Sequence, residues 1–174
     1  MLLGFTMIEL LIVISIAAIL AVIAVPSLRD TLNNTRQASA FGLVISDLNQ
    51  ARGEAIKRNG NVLVCPRNTA GTDCVVSANW LAGWVVCVEG NVANTCAPSL
   101  ATNPDPNPNV SVIRPALDPV LTLTRDTTDP VRFRANSTAT PATLTLGGTW
   151  AGAASRYVCV VGTGNISKQL VVCP

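Results

Sequence analysis

Apolar residues fill the chain from Phe5 to Val25 with few interruptions (FTMIELLIVISIAAILAVIAV), and Glu9 is the single charge among them. As a helix rising ~1.5 Å per residue, this run spans about 31 Å, enough to cross the hydrocarbon core of a bilayer. Behind it Pro26 is expected to kink the helix without ending it. Phe41, Val44, Ile45, Leu48, Ala55 and Ile56 then recur at helical spacing, while Arg29, Asp30, Arg36, Asp47, Glu54, Lys57 and Arg58 supply a polar side. Residues 26–60 therefore read as an amphipathic helix that stops at Gly60. One helix from Phe5 to Asn59 would be about 80 Å long, too long for a compact domain. Half of it must project into lipid or into the core of a filament.

From Asn61 onward the periodicity shortens to runs rich in Val, Thr, Leu and Ile, broken by Gly, Pro, Asn and Asp, the signature of antiparallel sheet. Strands are expected at Val62–Cys65, Trp84–Val88, Val110–Ile113, Val120–Thr124, Val131–Arg134, Thr143–Leu146, Tyr157–Val161 and Ile166–Cys173. Alternation is cleanest in Leu121-Thr122-Leu123-Thr124, Val131-Arg132-Phe133-Arg134 and Thr143-Leu144-Thr145-Leu146, so these strands have one wet face and one that packs on the helix. Arg132 and Arg134 are expected on the wet face. Trp80 and Trp84 read as core or loop-anchoring aromatics rather than binding residues. Asn103–Asn109, with a proline at every second position, is an extended connection. The fold class is α+β, a long N-terminal helix packed on antiparallel sheet.

The 174 residues suit one domain, and the mean hydropathy of +0.42 comes from the N-terminal run. Twelve Lys and Arg against ten Asp and Glu give a net charge of +2, too little for gripping nucleic acid by bulk electrostatics. There is no His, and Tyr157 is the single Tyr, so no nucleophile and base can be paired. Neither an enzyme nor a bound cofactor is expected.

Six cysteines, Cys65, Cys74, Cys87, Cys96, Cys159 and Cys173, behind an export segment point to an oxidising compartment and three disulfides. Of the fifteen pairings open to six cysteines, the sequence-local one is preferred: Cys65 with Cys74, Cys87 with Cys96, Cys159 with Cys173. Each bridge then crosses a turn that carries Gly or Asn. A zinc site competes for the same residues, but no Cys-x-x-Cys and no His accompanies them, so no metal is expected.

Gly4-Phe5-Thr6-Met7-Ile8-Glu9-Leu10-Leu11-Ile12-Val13 resembles the class III signal of type IV pilins and type II secretion pseudopilins. The resemblance implies that a prepilin peptidase cuts between Gly4 and Phe5 and N-methylates Phe5, leaving Glu9 as the fifth mature residue. Met1 to Gly4 carry no Lys or Arg, where leaders of the family usually carry one. A carboxylate among apolar helices can be neutralised by the terminal ammonium of a neighbouring subunit, which rewards correct axial register. The implied organisation is a leader at 1–4, a transmembrane and filament-core segment at 5–25, and a periplasmic head at 26–174, helical over 26–60 and β-rich over 61–174.

Further along, Arg52-Gly53-Glu54-Ala55-Ile56-Lys57-Arg58-Asn59 leading into Val62-Leu63-Val64-Cys65, then Trp80, Gly83-Trp84-Val85-Val86, Val131-Arg132-Phe133 and a hairpin around Gly162-Thr163-Gly164, are similar to the FimT/FimU/GspH group of minor pilins and pseudopilins. That likeness implies a type IV pilin fold and a minor pilin that primes or joins a pilus, in support of adhesion, twitching motility or transformation. Its implied partners are other minor pilins, the major pilin, the prepilin peptidase and the inner-membrane assembly platform. It would sit in the inner membrane before assembly and on the cell-surface pilus afterwards. Two alternatives stay open, a type II secretion pseudopilin and a DNA-binding pilin of natural transformation. DNA-binding relatives would carry Gly-Arg-x-Arg where this chain reads Gly164-Asn165-Ile166-Ser167-Lys168, and residues 61–174 hold seven basic against six acidic side chains. Lys168 and Arg156 are the weak DNA-contact candidates that remain.

Overall fold

The computed structural model describes residues 6–98 and 109–174, with the side chains of residues 23–27 outside that description. Gly4 and Phe5, the kink expected at Pro26, and all of the proline-rich connection except Asn109 therefore lie outside the described residues. One helix, α1, runs through Met7–Arg58. Among the described residues eight strands follow: β1 Val62–Pro66, β2 Trp84–Val88, β3 Val110–Ile113, β4 Leu121–Arg125, β5 Val131–Phe133, β6 Ala142–Gly148, β7 Arg156–Val160 and β8 Ile166–Gln169. They form two four-stranded antiparallel sheets, ordered β3-β2-β1-β5 and β4-β6-β7-β8.

Local chemistry sets both ends of α1. Thr6 is the N-cap, its hydroxyl accepting from the Glu9 backbone N–H at 3.3 Å, and a Thr followed three residues later by Glu is the capping-box pattern. At the other end Asn59 adopts the left-handed conformation, φ 51°, and turns its N–H back to the carbonyls of Ala55 and Ile56. Asn59, rather than Gly60, thus makes the C-terminal stop, since a short amide side chain tolerates that backbone region.

Among the described residues, the part of the helix that packs on the head is its C-terminal half. Gln37, Ala40, Phe41, Val44, Asp47, Leu48, Ala51 and Ala55 form its buried face, meeting β1, β2 and β5 of the first sheet and β6 and β8 of the second. The stripe is rotated slightly from the expected one: Ile56 is exposed and Ile45 half-buried, and Asp47, placed above on the polar side, is fully buried. Gln37 is buried because its amide donates to the carbonyls of Leu146 (3.3 Å) and Ala154 (2.7 Å), tying α1 to the end of β6.

Strands β1 and β2 are covered on both faces. Val62, Val64, Trp84 and Val86 point into the main core against α1, whereas Leu63, Cys65, Val85 and Cys87 form a second small core on the opposite side. That outer face would otherwise be wet. It is roofed by two loops, each tied back by its own disulfide, Cys65–Cys74 and Cys87–Cys96. In the second sheet Val158 and Val160 of β7 face the main core and Cys159 faces outward, bonded to Cys173. Here the structure corrects the expected eighth strand. It ends at Gln169 instead of Cys173, because the chain must cross the outer face to reach Cys159. Each bridge is worth about 2 to 4 kcal/mol in the chain-entropy account.

Candidate assembly surface

Among the described residues, the N-terminal stretch Met7–Val22 of α1 is largely apolar and exposed along its whole length. Met7, Ile8, Leu10 to Ile14, Ile16, Ile19, Leu20 and Val22 are all at least half exposed, and the apolar surface reappears at Leu28 and Leu32. A contiguous apolar face of this extent is costly in water and marks a surface that another apolar phase covers. Among the described residues no helix is long and apolar enough to cross a membrane; their side chains cover the apolar run only as far as Val22.

Glu9 stands exposed in that surface. As an acidic residue in the first turn it also complements the helix dipole, so it has a local role in the helix start as well as being the lone charge of the stripe.

Where α1 enters the head, Asp47 anchors it. Its Oδ2 accepts from Trp84 Nε1 at 2.9 Å and from Arg114 Nε at 2.8 Å, and its Oδ1 from Arg114 Nη2 at 2.7 Å. The fork-on-fork geometry is the strong form of this ion pair, and the Asp47 hydrogen bond, the largest influence on Arg114, raises the guanidinium's pKa further. Helix, β2 and the segment after β3 meet at this one carboxylate. Beside it lies a groove of about 360 Å³ bordered by Ala40, Leu43, Leu117 and Leu121 and closed at one side by Arg36 and Asp118, paired at 3.0 Å. The network escapes sequence reasoning because its members are far apart in the chain, although Gln37, Ala40, Val44, Asp47 and Ala51 do share one helical face.

A second network braces the first sheet. Arg132, expected in solvent, instead grips both carboxylate oxygens of Glu89, and Asn61 and the Asn94 backbone N–H complete the set. Burial pushes the Glu89 carboxyl up, but the hydrogen bonds from Arg132, Asn94 and Asn61 outweigh it and hold the group below the usual carboxylate range. A lowered folded pKa means that this stabilisation is complete above the unfolded carboxylate pKa and is lost as pH falls through the folded one. Wild type should therefore resist urea better than Glu89→Gln at about pH 7, with the gap closing as pH falls below the ordinary carboxylate range.

The DNA-contact candidates sit on the second sheet. Arg156 pairs in register with Leu146, and Lys168 with Val158, so both belong to the helix-facing side of adjacent strands, Lys168 exposed and Arg156 half-buried. Trp80 and Trp84 are both fully buried.

A long helix, bare and apolar over one half and fixed by the other to a disulfide-braced β head, defines a pilin-like subunit. The chain belongs to the family of the type II transport protein GspH, whose model matches residues 42–164. Two crystal structures of the type IV minor pilin FimU of Pseudomonas aeruginosa strain PAO1 share its fold. One has a TM-score of 0.57 at 14% identity, over 79% of this chain and 90% of that one. The other scores 0.50 at 15% identity, over 76% and 91%. No curated protein sequence matches the chain.

Proposed function

We propose that this protein is a minor pilin of a type IV pilus, built into or priming the fibre through α1 and through contacts between heads. The observation that carries the reading is the exposed apolar stretch Met7–Val22 of α1, with Glu9 as its lone charge. In this reading residues 5–25 hold the precursor in the inner membrane and later pack in the filament core. The prepilin peptidase cleaves after Gly4 and methylates Phe5, and Glu9 sets axial register against the Phe5 ammonium of a neighbouring subunit. Pro26 bends the helix between the two environments, and the head docks on other minor pilins and the major pilin. The work is assembly, with no catalytic step.

Glu9 has two roles to separate, and two substitutions do so. Glu9→Gln keeps a capping-box side chain without the charge, whereas Glu9→Ala removes both. Both variants should insert normally in the membrane yet be depleted from sheared pili, read by quantitative mass spectrometry that also reports whether the mature chain begins at N-methylated Phe5. Normal incorporation of Glu9→Gln would remove the charge-pairing role.

The family match favours a second reading, a pseudopilin of a type II secretion system. Deletion of the gene would then abolish protein export and leave pili intact, the reverse of the pattern expected for a pilus subunit.

A further inference from the structure

The sulfurs of Cys65, Cys74, Cys87 and Cys96 all lie within 4.8 Å of one another, and Cys74 Sγ approaches Cys96 Sγ, its neighbour in the other disulfide, to 4.0 Å. Chain spacing gives no hint of this, because each pair is separated by nine positions and no Cys-x-x-Cys is present. Sheet register creates it. Leu63 pairs with Cys87 and Cys65 with Val85, so Cys65 and Cys87 are diagonal neighbours on the same face of the β1–β2 ladder. Each strand then runs into a loop that returns to pair with it, Arg67 with Cys74 and Glu89 with Cys96.

The loops do not depend on their disulfides alone. Asp73 Oδ1 accepts from the backbone N–H of Cys74 and of Cys96, both at 2.8 Å, so one carboxylate clamps the two returning strands side by side. Asn68 Oδ1 organises the first loop by accepting from Thr72 N–H, and Glu89 organises the second by accepting from Asn94 N–H. None of these hydrogen bonds involves a sulfur atom.

We propose that in its dithiol state the head holds one thiophilic divalent cation, zinc or cadmium, on Cys65, Cys74, Cys87 and Cys96. Tetrahedral coordination at about 2.3 Å sets the sulfurs about 3.8 Å apart, a spacing the present cluster reaches by separating the two bonded pairs. Cys65, Cys87 and Cys96 are buried beside Leu63 and Val85, while half-buried Cys74 is the open corner. Four thiols give up four protons to solvent as the cation enters, leaving a tetrathiolate centre of charge −2. The cation and the disulfide pair are mutually exclusive. Two equivalents of an oxidised dithiol compound or protein disulfide remove four electrons, re-form Cys65–Cys74 and Cys87–Cys96, appear as four thiols on taking up four protons, and release the ion. The same four residues thus tie each loop back to its own strand after oxidation, and before it join both loops and both strands through one ion.

The test uses the full chain in detergent, reduced with a phosphine and titrated with cadmium alone, beside a Cys159→Ser/Cys173→Ser variant. Both should bind one cadmium per chain with the ultraviolet charge-transfer intensity of four thiolates, and both should show the near-ultraviolet dichroism of their buried tryptophans. Cys74→Ser should lose about a quarter of that intensity and at least about tenfold in affinity. Zinc should displace cadmium, and oxidised glutathione should release it. A stoichiometry below one, equal dependence on Cys159 and Cys173, insensitivity to Cys74→Ser, or cadmium binding without tryptophan dichroism would each overturn the proposal, the last by showing capture on an unfolded chain.

Discussion

Asp47→Ala should lower the stability of the head by about 3 kcal/mol, because it strands two donors at once. Trp84 Nε1 would be left buried without an acceptor, and Arg114 would lose both of its bonds to the carboxylate. The Arg114 side chain is 34% exposed and can turn toward water, which holds the loss near the lower end of the usual 3 to 5 kcal/mol for breaking a buried pair. The reverse single change, Arg114→Met, should cost more, since the Asp47 side chain is only 1% exposed and would be left buried with Trp84 as its one remaining partner in this network. Asp47→Leu combined with Arg114→Met should recover most of the loss, because an apolar pair removes both desolvation costs together. Urea unfolding of the four proteins, followed by tryptophan fluorescence, decides the matter. Losses under about 1 kcal/mol for both single variants would mean that the network holds nothing. Under the proposed function this junction sets the axial height of the head on the helix, so Asp47→Ala should also reduce incorporation into pili.

Gly83→Ala should be of similar severity, about 3 to 5 kcal/mol, for a different reason. Gly83 closes the turn that starts at Trp80, its N–H donating to the Trp80 carbonyl at 3.0 Å, and it adopts φ +98° immediately before Trp84 enters β2. A Cβ there would fall on the carbonyl oxygen of Arg114 and lie 2.7 Å from that of Pro115. Backbone atoms cannot rotate away as a side chain can, so β2 and the Arg114 segment would have to part, taking the Asp47 junction with them. Gly152→Ala is the control: its φ is +82°, yet a Cβ there meets nothing within 4 Å. It should cost only the conformational strain of about 1 to 2 kcal/mol. Equal losses at the two positions would show that crowding at Gly83 contributes nothing.

These two sites mark where reading the chain stops being sufficient. Helical spacing, together with apolar runs bounded by Gly, Pro, Asn and Asp, locates α1 and the strands to within a few residues, β8 ending at Gln169 rather than Cys173. The FimT/FimU/GspH likeness, drawn from the leader and from short motifs in the head, agrees with the family and the fold found for the chain. Polar side chains were less legible. Asp47 and Arg132 look like surface charges in a linear pattern, yet Asp47 is buried and Arg132 half-buried, each against a partner, Arg114 or Glu89, that arrives from another element. Asp47 did leave a trace, an acid on the same helical face as Ala40, Val44 and Ala51.

The sequence by itself determined the division of the molecule: a bare apolar helix half, a packed half, a β-rich head and six cysteines whose nearest-neighbour spacing matches the disulfides present in the structure. Those features are encoded locally, in runs and periods of a few residues. Tertiary structure alone decided which carboxylates are buried, which face of β1 and β2 needs a roof, and that four cysteines from two strands and two loops share one small volume. The physical reason is that strand register and helix docking set distances between residues dozens of positions apart, and burial, ion pairing and sulfur clustering depend on those distances rather than on order along the chain.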